Sequence, residues 1–180
     1  MIVEVKSESE FRSLCRNAWK KNAQLWIESR KIPTSLRKYL LSFVVNEVNK
    51  TTILDIGCGN GWLFEETINF NPSFDFKYIG LDTNDLFISH LNKKFLDVRA
   101  AKFIDADFEE ELSCVAANSI DKAIAVLSFI EMTDLKAAFS NVYRKLKSGG
   151  ECIIVVLNPY LELMRLNSEF DNLKNDLSIF

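Results

Sequence analysis

The apolar runs of this sequence are all shorter than the roughly 18–20 residues that a helix needs to span a bilayer. The first residues lack the layout of a signal peptide, and no stretch is repetitive or of low complexity. No two cysteines form a C-x-x-C pair, so neither a zinc site nor a disulfide framework is indicated. We therefore expect a cytoplasmic protein with reduced thiols, no membrane segment and no metal. The cysteines are Cys15, Cys58, Cys114 and Cys152.

The net charge is small, at −3, but the charged residues are unevenly distributed. Residues 1–50 carry ten Lys/Arg against five Asp/Glu, and the remainder carries twelve against twenty. A basic N-terminal face can attract an acidic substrate or nucleic acid. The plainer interpretation is a pair of solvated amphipathic helices, and no nucleic-acid-binding motif accompanies them. Nucleic acid is therefore not an expected partner.

Only six glycines are present, and three of them stand two residues apart in one segment. Residues 53–66 run from an apolar stretch through Asp55 into Gly57, Gly59 and Gly61, and an apolar segment follows. This order predicts a buried strand, a tight turn and a helix start. Glycine permits positive φ and close approach of a ligand, and a helix N-terminus offers unpaired N–H groups. We expect a small, partly polar ligand at this loop.

The spacing of this loop does not fit the dinucleotide fingerprint G-x-G-x-x-G, because the third glycine would fall at Trp62. Asp55, two residues before the first glycine, would repel a pyrophosphate but attract an ammonium group. The loop therefore favours a zwitterionic or cationic ligand over NAD. It resembles the first motif of the class I S-adenosylmethionine-dependent methyltransferases, whose loop holds the methionine end of that cofactor.

The pattern from Thr51 onward alternates strands with helices and predicts a doubly wound α/β domain with a mainly parallel sheet of at least five strands and helices on both faces. Continuous apolar runs such as 152–157 are typical of strands covered on both faces. Ligands of such sheets bind beyond the carboxyl ends of the strands. Strands are predicted at 51–57, 77–82, 101–105, 120–127 and 151–157, and helices near 61–70, 84–97, 109–116 and 134–147.

The N-terminal segment, 1–50, is predicted to be helical and separate from a cofactor-binding domain at 51–180. Helices are expected over 8–30 and from residue 33 to about 49. The first helix has an apolar stripe that we expect to face inward: Phe11, Leu14, Cys15, Ala18, Leu25 and Trp26. The aromatic residues Trp19, Trp26 and Tyr39 are either core residues or part of a lid over the cofactor.

The ends of the second and third predicted strands carry carboxylates. Asp82 can accept both hydroxyls of a ribose, although capping of the next helix, which Asn84 could also provide, is the alternative. In the family that the chain resembles, an acidic residue and the following amide read the adenine edge. Asp105 with Ala106 is the best match, Asp107 is a competing register, and the three glutamates that follow are expected to be solvated.

The later motifs extend the resemblance over residues 51–157. Residues 143–150 resemble the family's R-x-L-K-P-G-G segment, with Ser148 in place of proline and Gly149 predicted to end the helix. The resemblance implies S-adenosylmethionine as the cofactor and an unidentified, small-molecule acceptor. The residues that it implies in cofactor binding are Asp55, Gly57, Cys58, Gly59, Asn60, Gly61, Asp82, Thr83, Asp105, Ala106 and Ser128.

Methyl transfer from a sulfonium needs mainly alignment and desolvation, and family members often have no dedicated base. If a base exists here, Glu131 is the candidate, because it lies just past the fourth strand; a surface carboxylate is the alternative. His90, the single histidine, falls within a predicted helix and is expected to be structural. An inactive cofactor-binding module or partner subunit is the alternative function, and an NAD-dependent oxidoreductase is the least favoured.

The resemblance stops after the fifth strand, where the family's sheet normally gains two more strands. Residues 160–180 instead predict one amphipathic helix, with Leu163, Leu166, Phe170, Leu173 and Leu177 on one face. The fifth strand would then be an exposed edge. We expect a fragment of a longer protein; a shortened domain and an edge completed by a second chain, as in a homodimer, are the alternatives.

Overall fold

The computed structural model describes residues 7–28, 34–45, 50–70, 72–73 and 75–158. The amphipathic helix predicted over 160–180 lies outside the described residues. The division of the chain into segments 1–50 and 51–180 stays a prediction.

Five parallel strands form one sheet in the order β3-β2-β1-β4-β5, which confirms the predicted fold class. The chain fills one half of the sheet and then crosses over β1 to fill the other, so the strand order reverses between β1 and β4. The strands are β1 Thr52–Ile56, β2 Lys77–Asp82, β3 Ala101–Asp105, β4 Ile120–Val126 and β5 Leu146–Val155. The helices are α1 Glu8–Glu28, α2 Thr34–Val45, α3 Trp62–Phe70, α4 Asp85–Lys94 and α5 Leu135–Lys145, with a 3-10 turn at Phe129–Glu131.

Two apolar layers cover the two faces of the sheet. One layer gathers around Phe64, whose ring lies 4.8 Å from that of Tyr78 and 5.5 Å from that of Phe103. The other contains Leu54 and Val142. Successive residues of β1 point to opposite layers: Ile53 lies in the first and Leu54 in the second, and both residues are fully buried. Because the central strands are covered on both faces, their sequences are unbroken apolar runs.

No helix forms between β3 and β4, so the helix predicted near 109–116 is wrong. In a helix, main-chain N–H groups would donate to the carbonyls of this segment. Here side chains of α5 donate instead: Asn141 Nδ2 and Lys145 Nζ each bind two main-chain carbonyls at 2.6–2.7 Å. The segment is thereby held as a series of turns with its carbonyls satisfied. The carbonyls belong to Phe108, Glu110, Leu112 and Val115.

Gly149 does not end α5, contrary to the prediction. The helix ends at Lys145, and Leu146 takes an extended conformation that begins β5 at once. Gly149 has a φ of +78° within β5, where the pairing register with β4 shifts. Its positive φ therefore serves a bulge in the edge strand rather than a helix terminus.

The apolar stripe predicted on α1 faces the rest of the protein only at Cys15 and Trp26. Phe11, Leu14 and Leu25 are 37%, 40% and 53% exposed, while Ala23 is buried. The face that meets the rest of the protein is built from polar and aromatic side chains, because α1 lies over the strand ends and not over an apolar face of the sheet. These side chains include Arg12, Cys15, Arg16, Trp19 and Trp26.

Replacing Asn141 by alanine should lower the free energy of unfolding by about 2 kcal/mol, since the buried Asn141 side chain loses its hydrogen bonds to the carbonyls of Phe108 and Glu110. Urea unfolding of both proteins would measure the change. Ser140→Ala, at the exposed neighbouring position, is the matched control and should be neutral. Equal stability of Asn141→Ala and the wild type would contradict this account of the 106–119 segment.

Candidate functional site

A cavity of about 340 Å³ opens at the carboxyl ends of β1 to β4, beside the point where the strand order reverses. This is where ligands bind in open α/β sheets. Its floor is formed by the strand ends and the loops that follow them, and α1 lies across its mouth. Most of its wall is apolar, with polar groups concentrated at the strand ends.

The glycine loop after β1 turns back onto the end of β2. The N–H groups of Gly57 and Cys58 both donate to the carbonyl of Leu81, at 2.8 and 2.9 Å. Gly57 has a φ of +74°, and a Cβ there would collide with Ser128. Only glycine can therefore bring the loop this close to β4. Ser128 Oγ donates to the carbonyl of Ile56 at 2.6 Å, which ties the β4 end to the same turn.

Asp82, at the end of β2, is bound by main-chain N–H groups. Its carboxylate accepts from Gly59 N and from Asn84 N, both at 2.9 Å. Burial raises the pKa of Asp82 above its ordinary value, and these N–H donors partly oppose that rise. Asn84 caps α4 through its own side chain, at 3.1 Å from Leu86 N, so Asp82 is not needed as the cap.

Asp55 does not line the cavity. It lies beneath the glycine loop, 3% exposed, and accepts a hydrogen bond from the hydroxyl of Tyr78. Burial raises its pKa to about 7, and the nearby charge of Asp82 adds to the rise, while the Tyr78 hydroxyl opposes it. The predicted contact with a ligand's ammonium group is thus not direct in this structure. Asp55 supports the loop from within the core.

The segment after β3 presents Ala106, Asp107 and Phe108 to the cavity, whereas Asp105 is exposed outside it. The geometry therefore favours the competing register, with Asp107, two residues beyond the end of β3, in the cavity wall. Asp107 is paired with two cations of α1, Arg12 at 3.5 Å and Arg16.

Glu109 is not solvated as expected: its side chain is 7% exposed. The carboxylate accepts from Thr133 N at 2.7 Å, from Thr133 Oγ1 at 2.9 Å and from Asp134 N, and it pairs with Arg12 at 3.1 Å. It therefore joins the loops that follow β3 and β4 to α1. Glu109 was missed because a run of glutamates gives no sign of which one is enclosed.

Glu131 lies at the cavity wall just past β4, together with Ile130 and Met132. The indole Nε1 of Trp19 donates a hydrogen bond to its carboxylate. Burial raises the pKa of Glu131 above its ordinary value, with a further contribution from the charge of Asp82. Leu127, immediately before this turn, has a φ of +62°, a conformation that turns the chain sharply at the end of β4.

Helix α1 is attached to the strand ends along its whole length. The pairs of Arg12 and Arg16 hold its first half, Trp19 its middle, and the carbonyl of Trp26 accepts from Asn60 Nδ2 at 2.7 Å near its end. The structure thus places Trp19 and Trp26 in the cavity wall, as the lid hypothesis required. Tyr39 does not contribute, because it is 63% exposed on α2.

Nine of the predicted site residues line the cavity, and three do not. Gly61 is among the three, because its φ of +76° and the contact of a would-be Cβ with Leu91 show a packing role. Those that line it are Gly57, Cys58, Gly59, Asn60, Asp82, Thr83, Ala106, Ser128 and Glu131; Asp55, Gly61 and Asp105 do not. Whether each contacts a cofactor stays a prediction.

Other chemistries find little support in the described part of the chain. Its His, Cys, Asp and Glu side chains form no group of three that could hold a metal ion. His90 lies within α4 and does not line the cavity, and the described helices include none long and apolar enough to cross a membrane. All four cysteines are free thiols.

A family model described as a methyltransferase domain matches residues 53–150. Among curated proteins, sterol 24-C-methyltransferase of Candida albicans is 28% identical over 131 residues, which are 68% of this chain and 32% of that protein. O-methyltransferase 3 of Dictyostelium discoideum is 26% identical over 149 residues, covering 81% and 33% of the two chains. The chain therefore spans about a third of the length of these relatives.

Solved structures share the fold at low sequence identity. A putative S-adenosylmethionine-dependent methyltransferase from Methanococcus maripaludis matches with a TM-score of 0.66 at 20% identity, over 98% of this chain and 80% of that one. Phosphoethanolamine N-methyltransferase 2 of Haemonchus contortus, solved with S-adenosylmethionine, matches with a TM-score of 0.65 at 20% identity, over 83% and 35%.

Replacing Asp55 by asparagine should remove a pH dependence of stability. The folded protein binds the Asp55 proton more tightly than the unfolded chain, whose value is 3.8, so this contribution is full at low pH and is lost as the pH rises through about 7. Relative to Asp55→Asn, the wild type should lose about 1.4 kcal/mol per pH unit across that window.

Urea unfolding from pH 4 to pH 8 would measure the difference in the free energy of unfolding between the two proteins. The variant isolates the effect of the Asp55 proton, because an asparagine can still accept a hydrogen bond from Tyr78 but does not titrate. Asp97→Asn, at an exposed position, is the control and should run parallel to the wild type. Parallel curves for Asp55→Asn as well would show that Asp55 is already ionised in the folded protein.

Proposed function

Because the chain belongs to the class I S-adenosylmethionine-dependent methyltransferase family, we propose that it transfers the methyl group of that cofactor to a small-molecule acceptor. The observation that carries the proposal is the cavity itself, in which the glycine loop, Asp82 and the β3 end converge at the switch point of the sheet. The activity of the whole protein is part of this proposal, since the match covers about a third of the length of the curated relatives.

We place the methionine end of the cofactor at the glycine loop and its ribose at Asp82. The loop lets a ligand approach main-chain atoms closely, and the Asp82 carboxylate is already held by Gly59 N and Asn84 N on the cavity wall. An anchored carboxylate can accept two hydroxyls without first being ordered, which favours binding. Thr83 lines the wall beside it.

We place the adenine against Ala106, Asp107 and Phe108. The Phe108 ring supplies an apolar wall, and Asp107 is the acidic residue of this segment that lines the cavity. Arg12 and Arg16 of α1 are paired with Asp107, so this part of the cavity lies beneath α1. An adenine bound beside Asp107 would therefore lie under that helix.

The chemical step requires alignment and exclusion of water more than acid–base catalysis. The nucleophile attacks the methyl carbon in line with the carbon–sulfur bond, and the electron pair of that bond leaves with the sulfur. Holding the two reactants in this geometry can supply roughly 7–11 kcal/mol of the barrier reduction. The apolar wall and the covering α1 suit this role, because they keep water from the reacting atoms.

The acceptor is proposed to be a small molecule that enters from the β4 side of the cavity. One named relative is a sterol methyltransferase, and one structural neighbour is a phosphoethanolamine methyltransferase. We further propose a cytoplasmic location, which the four free thiols support. The edge of β5, which pairs only with β4 among the described strands, is proposed as the place where a second chain or further residues complete the sheet.

Replacing Asp82 by alanine should weaken S-adenosylmethionine binding by about ten- to a hundredfold, or about 1.4 kcal/mol per tenfold step. Calorimetric titration with S-adenosylmethionine, its demethylated product and NAD would test this. The wild type should bind the first two and not NAD. Asp97→Ala, at an exposed position that does not line the cavity, is the control. Unchanged affinity of Asp82→Ala would remove Asp82 from the site, and tight NAD binding would overturn the function.

The same titration decides the register after β3. Asp107→Ala should weaken cofactor binding by about tenfold, whereas Asp105→Ala should leave the affinity unchanged because Asp105 lies outside the cavity. Arg16→Ala measures how much of the effect comes from the lost ion pair to α1 alone. The opposite ranking of the two aspartates would restore the register expected from the sequence.

A further inference from the structure

The cationic side chains around the cavity are already engaged by carboxylates. Among the described residues, three cations line it: Arg12 and Arg16 pair with Asp107, Arg12 also pairs with Glu109 at 3.1 Å, and Lys20 lies 4.0 Å from Asp85. A phosphate or carboxylate on the acceptor would have to break one of these pairs to be neutralised. The cavity is thus poorly matched to an anionic acceptor.

Glu131 is in the opposite situation. In the described part of the chain, no Lys, Arg or His nitrogen lies within 4.0 Å of its carboxylate, and its recorded donor is the neutral indole of Trp19. A carboxylate retained in a largely apolar wall without a cation is costly unless a ligand supplies one. The indole N–H leaves acceptor capacity on the carboxylate, which can take further hydrogen bonds.

The position of Glu131 indicates that the ligand that supplies a cation to its carboxylate is the acceptor and not the cofactor. The proposed cofactor site extends from β1 towards β2 and β3, whereas Glu131 follows β4, on the other side of β1. A molecule that attacks the methyl group from beyond the methionine end must therefore pass the β4 side. There it would meet Glu131, Ile130 and Met132.

Aromatic side chains stand next to this carboxylate. The Trp19 ring lies 5.4 Å from that of Trp26 and 6.4 Å from that of Phe87, and all three rings line the cavity. Aromatic faces attract cations and pack against apolar groups. A carboxylate beside aromatic rings is the arrangement that suits an ammonium group carried on an apolar body.

We propose that Glu131 and Trp19 form the acceptor subsite and that the acceptor is an amine on an apolar body. This inference rests on the proposed function. Glu131 binds the ammonium form and takes one proton from it; the freed nitrogen lone pair forms the bond to the methyl carbon. The carbon–sulfur bond breaks, its electron pair stays on sulfur as the neutral thioether, and the positive charge passes to the methylated nitrogen. Trp19 is a positioning residue that orients the carboxylate.

Two probes with the same body and opposite charge test the subsite: 2-phenylethylamine and 3-phenylpropionate. Each is titrated calorimetrically into the protein loaded with the demethylated cofactor product, whose missing sulfonium charge cannot satisfy Glu131. The amine should bind at least about tenfold more tightly than the acid. Its affinity should rise with pH as Glu131 loses its proton.

The test variant is Glu131→Gln, which keeps an oxygen for the Trp19 indole and so keeps α1 in place. It should bind the demethylated product as the wild type does, lose about tenfold or more in amine affinity, and show no pH dependence in the acidic range. Glu111→Gln, an exposed glutamate away from the cavity, is the matched control and should behave as the wild type.

Equal or tighter binding of 3-phenylpropionate would overturn the inference, as would no amine binding, or equal amine binding by Glu131→Gln. In each of these cases retained binding of the demethylated product leaves the proposed function intact. Failure of the wild type to bind that product would instead contradict the proposed function, and the acceptor subsite with it.

Discussion

The site depends on the close approach of the glycine loop to the end of β2. Three successive N–H groups make this contact: those of Gly57 and Cys58 reach the carbonyl of Leu81, and that of Gly59 reaches the carboxylate of Asp82. The contact requires positive φ at the glycines, and at Gly57 it also requires the absence of a Cβ. It sets the depth of the cavity and fixes Asp82 in one orientation. The Ser128 hydroxyl then locks β4 to the same turn.

Three carboxyl groups in and around the cavity have different environments. The carboxyl groups of Asp55, buried beneath the loop, and of Glu109, enclosed at the loop junction, have structural partners within the protein. Glu109 gathers two loops and Arg12 around one carboxylate, so the cavity mouth is assembled as a unit. Glu131 differs because, among the described residues, the donor to its carboxylate is the uncharged indole of Trp19. Asp55 and Glu109 thus support the structure, whereas the carboxylate of Glu131 is the one that we propose for a ligand.

The alternation of apolar runs predicted the five strands and their parallel order, because strands buried on both faces read as continuous apolar runs. This interpretation holds for the central strands but is wrong for the run at 152–157, because Cys152 is exposed and β5 is an edge strand. The glycine spacing also predicted the loop. The segment 106–119 was mispredicted because its conformation is set by Asn141 and Lys145, more than 25 residues away. The inward face of α1 was mispredicted because the helix covers a polar strand edge, where periodicity of apolar residues carries no information. Asp105 and Asp107 are two residues apart, and a strand boundary that is uncertain by about two residues does not show which of them faces the cavity.

Helix α1 crosses the cavity mouth and is attached at its start, middle and end by side chains of the strand loops. A ligand that enters or leaves the cavity past α1 must displace some of these attachments. The lifetime of the bound state then depends on how readily the helix detaches. Because the attachments at its first half are partly exposed ion pairs, dissolved salt weakens them. Ionic strength thus becomes a control on the residence time of whatever the cavity holds.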